Sequence, residues 1–412
     1  MKLEKHRSVY IALFAILACT LAITSFYLSP YCRAINELKK LSAVSLIQTT
    51  EEDDTNAQLV ALERQAARDP EGSIVRAQLA HLYFTVGRNT NNSSQISKAE
   101  ELANESLRLM PDDNLLPLEV HARIASHRHN FARAIELSRQ LIAAGRASLY
   151  ETLGAALLAQ GDLRLARNVA KSFVQAQPGL GSFILLGLTQ EGMGERVQAE
   201  QSYKTALLHD FESSLDGALW ARCILARFYI RSSRYKEAQI PIDAVLKVKP
   251  NHVFATSLEG ERLLSMGEPL RAIIQFQRAF DHSRDTHFLY RLAVAYKAAT
   301  LSREFKESIN LVISLLENEL AHGSTDHKAG LGVALLERNN DQNDLTKAID
   351  ILTLESRGRR SPEVLIPLAR AYQLAGQRLE AQQTLQTLTG DGYRSAGGGE
   401  LTIEPSDPPA LF

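Results

Sequence analysis

The sequence predicts an all-α solenoid of stacked helical hairpins, and three observations point to it. A pattern of small and large apolar residues returns at a period of about 34 residues, the mark of a helical repeat array. Each return holds two short segments whose apolar residues are three and four apart, which places them on one face of an α-helix. Turn formers such as Gly161-Asp162 separate the two segments, and prolines such as Pro178 and Pro250 close the second.

The clearest unit runs from Tyr150 to Pro178. Gly154 is small enough for close helix packing, Leu157 follows on the same face, and Ala166, Ala170 and Phe173 form the stripe of the second helix. Upstream, Ala80 and Tyr83 pair with Ala99, Ala103, Ser106 and Pro111, and Ala122 and Ala125 pair with Ala134, Ser138 and Leu141. Downstream, Leu186 and Gly187 precede Ala199, Tyr203 and Ala206, while Ala226 and Tyr229 precede Ala238, Ile242, Val245 and Pro250. Gly260 and Leu263 then lead to Ala272, Phe276 and Ala279, and Ala293 and Tyr296 to Ser308, Val312 and Leu315. Gly332 and Leu335 lead to Ala348 and Leu352, and Ala369 and Tyr372 to Ala381, Leu385 and Leu388. A nine-residue step from first to second helix recurs, as from Leu157 to Ala166, Tyr229 to Ala238 and Tyr372 to Ala381.

With these residues the chain resembles the tetratricopeptide repeat (TPR) family from Ser73 to Leu388, in nine units of which the seventh and eighth are degenerate. The resemblance implies a right-handed superhelical solenoid of about nine TPR hairpins, with no cofactor and no catalytic residue, whose concave face is lined by the first helices and binds other proteins or peptide segments. Taking the position after each small first-helix residue and a turn to either side, the expected lining is His81, Phe84, Glu119, Arg123, His127, Trp220, Arg227, Arg231, Glu261, Tyr290, Lys297 and Arg370. Aromatic and arginine side chains are those most enriched at binding hot spots. Members that clamp a chaperone's C-terminal carboxylate use Lys and Asn on consecutive first helices. Ala155, Leu188 and Val294 stand at matching positions here and argue against that partner.

Ahead of the array, Val9 to Leu28 is twenty residues without a charge. As a helix at ~1.5 Å per residue it would span roughly 30 Å, the hydrocarbon thickness of a bilayer. Tyr10 and Tyr27 near its ends suit the interface, so one uncleaved transmembrane helix is expected. A cleaved signal lacks a small-x-small site near Ser29-Pro30, whereas Cys19 after Leu17-Ala18 leaves a lipoprotein reading open. Lys2, Lys5 and Arg7 on one side balance Arg33, Lys39 and Lys40 on the other, and the basic start of the chain favours a cytoplasmic N-terminus. The repeats would then lie in the periplasm of a bacterial inner membrane, and a cytoplasm-facing adaptor is the alternative. Similar anchored TPR proteins assist polysaccharide export and the assembly of secretion systems, pili and the outer membrane.

The expected divisions are residues 1–30 as anchor, 31–72 as stalk and capping helix, 73–388 as array and 389–412 as a disordered Gly/Pro-rich tail. Glu51 to Asp54 would precede a capping helix beginning near Thr55. Gly87 to Gln95 reads as a flexible polar loop with Asn-x-Ser sequences at Asn91 and Asn92.

Composition excludes several classes. The 412 residues carry a formal net charge of −1, with no basic excess for nucleic acid. Cys19, Cys32 and Cys223 are too far apart for a disulfide framework or metal pair. His81, His121, His127 and His129 lack a carboxylate or thiol at ligand spacing, and no nucleophile elbow or phosphate-cradling loop occurs. Glycan contact would need aromatic rings along the groove, for which Phe84, Trp220 and Tyr290 are few and scattered.

Overall fold

The computed structural model describes residues 51–89, 92–210, 214–321, 328–338 and 342–394. The expected anchor at Val9–Leu28, the stalk up to residue 50, Cys19, Cys32 and Asn91 lie outside them. Among the described residues no helix is long and apolar enough to cross a membrane.

Nineteen helices and no strands make up the described chain. They are α1 (Glu51–Arg68), α2 (Ser73–Asn89), α3 (Ser93–Leu109), α4 (Leu115–His127), α5 (Phe131–Ala143), α6 (Leu149–Gln160) and α7 (Leu163–Ala176). Then follow α8 (Leu180–Gly192), α9 (Arg196–Leu208), α10 (Leu215–Arg231), α11 (Tyr235–Val248), α12 (Val253–Ser265) and α13 (Pro269–Ser283). The last are α14 (Thr286–Ala298), α15 (Ser302–Ala321), α16 (Lys328–Arg338), α17 (Gln342–Ser356), α18 (Pro362–Leu374) and α19 (Arg378–Gly390). From α2 onward they pair into nine hairpins, and α1 covers the flank of the first. First helices also pack on the next first helix along the array, which makes them the inner, concave layer.

The repeat residues occupy the crossings that the pattern predicts. Ala99, Ala134, Ala166, Ala199, Ala238, Ala272, Ala348 and Ala369 are fully buried, as are Tyr203, Tyr229 and Phe276. Turns follow local chemistry: Gly161 ends α6 with φ +86°, a conformation that costs glycine no Cβ clash, and Asp162 Oδ1 accepts the Leu165 N–H at 3.0 Å to cap α7.

At Gly187 the inner layer meets Tyr203 so closely that a Cβ would stand 2.5 Å from a ring carbon. Gly187→Leu is therefore expected to lower stability by ~1–3 kcal/mol through overpacking. Thermal unfolding of the full-length chain, followed by circular dichroism, checks this, and a curve superposing on that of the parent would show that the crossing is not tight.

Four boundaries differ from expectation. α1 begins at Glu51, so the acidic run forms its first turns instead of preceding it. The polar stretch after Gly87 is mostly helical, because Asn92 Oδ1 accepts from the Ser94 and Gln95 N–H groups and starts α3. In α15 the core residues are Ile309, Val312, Ile313 and Leu316, one position past two of the expected residues. The expected tail boundary is also corrected: α19 runs to Gly390, and Tyr393 beyond it is buried.

That last difference reshapes the array. Tyr393 Oη donates to the Leu158 carbonyl at 3.1 Å, Arg394 N–H to the Gly192 carbonyl at 3.0 Å, and Arg360 Nε to the Gln160 carbonyl at 3.2 Å. Leu163 at the start of α7 is fully buried in the same cluster as Leu388 and Tyr393. The ninth hairpin thus docks on the third and fourth, and the array from α6 to α19 closes into a ring.

Candidate partner-binding face

Three groups of charged side chains line the inner layer. The first joins α2 and α4. Arg123 Nη1 lies 3.1 Å from His81 Nδ1 and its other terminal nitrogen 3.5 Å from Glu119, which also takes Arg146 and the Ser148 hydroxyl. Burial, then the Arg123 charge, lowers the His81 pKa and favours the neutral ring. His127 meets the Phe84 ring edge-on at 6.4 Å.

The second group is built on α10. Trp220, Arg227 and Arg231 fall on one helical stripe, spaced by seven and four residues. Arg231 reaches Glu191 of α8 at 3.6 Å, and that carboxylate accepts the Tyr203 hydroxyl at 2.6 Å. Glu261 of α12 pairs with Arg291 of α14. Burial works against the Arg231 charge, but Glu191, Glu363 and Glu261 outweigh it and raise the pKa. Because Glu363 belongs to α18, α10 and the last hairpin face one another across the ring.

In the third group, Glu337 of α16 bridges Lys297 Nζ and Arg370 Nη1, each at 2.8 Å. Tyr290 lies beneath this bridge, its pKa pushed well up by burial and then by Glu337. Behind the inner layer, Glu200 joins Arg234 and Lys204 as a staple between α9 and α11. Burial pushes the Glu200 carboxyl up, but hydrogen bonds from those cations prevail and hold it down to about 2.

The structure brings His81, Arg123, Glu119 and His127 together, then Trp220, Arg227, Arg231 and Glu261, and then Lys297 and Arg370. Phe84 and Glu119, at 4% and 2% exposed, and Tyr290, at 5%, are corrected from groove wall to core. The two rings belong to the apolar clusters between stacked hairpins, and Glu119 is held by its ion pairs. Two of the three aromatics that a glycan platform would need are thereby withdrawn. Sequence reasoning missed Glu191, Arg291, Glu337 and Glu363. The first and third were reachable, since each lies about one turn past a first-helix glycine, Gly187 or Gly332.

Among the described residues no group of three or more His, Cys, Asp or Glu is placed to hold a metal ion. Cys223 is a buried free thiol, raised to about 12 by burial against the opposing charges of Arg227 and Arg222. Such a thiol is a poor nucleophile.

A closed stack of two-helix units with a charged inner face defines a TPR-like helical repeat protein. No family model matches the chain. Over 131 residues, 31% of its length, it is 30% identical to anaphase-promoting complex subunit 7 of Dictyostelium discoideum, and it spans only 22% of that relative's length. Among solved structures it is similar to a tetratricopeptide repeat protein from Parabacteroides merdae, at 15% identity and a TM-score of 0.41, over 76% of this chain and 99% of that one. It is also similar to the APC/C hetero-tetramer Cut9–Hcn1, at 13% identity and a TM-score of 0.49, over 85% of this chain and 62% of that one.

Proposed function

We propose that this chain is a non-catalytic scaffold, anchored by Val9–Leu28, that gathers protein partners on its inner face at a bacterial cell envelope. The observation that carries the binding role is the inner face itself: charged side chains from successive first helices converge there, while the described residues hold no metal cluster and no activated thiol. The name of the Dictyostelium relative makes that protein a subunit of a larger complex, in keeping with an assembling role. The apolar run at residues 9–28 supports the anchor, and the basic residues before it support a periplasmic array.

In-cell crosslinking of the tagged full-length protein, with protease accessibility measured in the same cells, tests this. Capture of envelope-assembly proteins by a protease-accessible array is the expected result. Capture of soluble cytoplasmic proteins by a shielded array would overturn the location and leave an adaptor.

A further inference from the structure

Among the described residues several inner-face carboxylates are paired with cations, and α10 carries an arginine that is not. Glu191 is held by Arg231 and Tyr203, Glu261 by Arg291, and Glu337 by Lys297 and Arg370. Glu363 of the facing hairpin is steadied by Ser361 and Arg359 as well as by Arg231, which outweigh its burial. Arg227, half-buried one turn before Arg231, has no hydrogen-bond or ion-pair partner among the described residues. Burial and then the Arg231 charge lower its pKa, and the opposing charges of Glu191, Tyr203 and Glu261 offset them only in part. A half-buried guanidinium that no ion pair holds is open to an incoming anion, and a carboxylate is the ligand whose fork it matches.

Trp220 supplies a second feature. It is the chain's single tryptophan, it is 37% exposed, and it lies on the same stripe two turns before Arg227. An indole face and a guanidinium fork two turns apart, roughly 10 Å along the helix, suit an extended peptide whose apolar and acidic residues are about three positions apart. The site is separate from the apolar positions Ala155, Leu188 and Val294.

We infer that Arg227 and Trp220 form the receiving site for an acidic, extended segment of a partner protein, which enters the ring and pairs a side-chain carboxylate with Arg227. This rests on the scaffold reading and specifies the chemistry of its partner.

Trp220 provides the readout. Full-length protein in detergent micelles is titrated with the peptide Glu-Leu-Glu-Leu-Glu and with Lys-Leu-Lys-Leu-Lys, following tryptophan emission. The acidic peptide should bind and the basic one should not. Arg227→Gln should weaken binding by about tenfold, the share of one charge-assisted pair, and Arg227→Lys should restore part of it. Equal binding of both peptides, or an unchanged affinity in Arg227→Gln with its circular dichroism intact, would overturn the assignment. So would acidic-peptide binding that emerges only after Glu400, Glu404 and Asp407 are made neutral, since the chain's own acidic segment would then be the occupant. Crosslinked partners retained alongside a peptide that fails to bind would remove this site and leave the scaffold reading standing.

Discussion

Asp210→Ala is expected to destabilise the protein by about 3–5 kcal/mol, the cost of removing one member of a buried ion pair. Arg222 on α10 is fully buried, and its Nη2 meets Asp210 Oδ2 at 2.6 Å. Its Nη1 donates to the Ala218 carbonyl one turn back, at 3.0 Å. Asp210 lies two residues past the end of α9, so this pair ties the fourth hairpin to the fifth. Replacing both groups, as in Asp210→Leu with Arg222→Met, should cost much less, because both buried charges are then removed together. Denaturant unfolding followed through Trp220 on the same helix measures both variants. A single substitution costing under about 1 kcal/mol would mean that the Asp210–Arg222 pair contributes little to joining the two hairpins.

Tyr393→Ala is expected to open the ring. The ring is 8% exposed, and truncating a buried aromatic costs about 3 kcal/mol or more, with about 1 kcal/mol further for the lost bond to the Leu158 carbonyl. Only the seam should respond. Amide exchange at residues 158–164 and near Gly192 should accelerate, and the radius of gyration from X-ray scattering should rise, while the inner crossings keep their protection. Tyr393→Phe keeps the packing and should lose only the hydrogen bond. Unaltered exchange at the seam in Tyr393→Ala would show that the ring is open in solution.

The features readable in the sequence are those set by near neighbours. Small residues recur because each hairpin must meet the next at the same distance, so Gly154, Gly187 and Gly260 and the buried second-helix alanines could be placed unit by unit. The seam leaves no such trace. Leu158 and Tyr393 are 235 residues apart, and a lone tyrosine among glycines carries no period. The Arg222–Asp210 pair escaped notice for a related reason: it lies where an insertion interrupts the repeat. Within the site, direction along a first helix was legible and depth was not. Phe84 and Tyr290 have the same register as exposed lining residues, and only the packing of adjacent hairpins decides that they are covered. The surplus at Arg227 was partly legible as a basic stretch with Arg231, but its want of a partner depends on Glu191 being taken by Arg231.

Closure at the seam also bears on how the array can deform. An open stack of hairpins behaves as a spring: small rotations at every interface add up, and the coil lengthens or shortens without any contact breaking. From α6 to α19 that freedom is lost, because a coil whose ends are fastened cannot change its pitch until the fastening at Leu158, Gln160 and Gly192 gives way. The hairpins from α2 to α5 stay outside the loop and keep their elasticity. Pulled from its N-terminal end, the molecule should yield first as a short compliant arm and then resist as a stiff hoop.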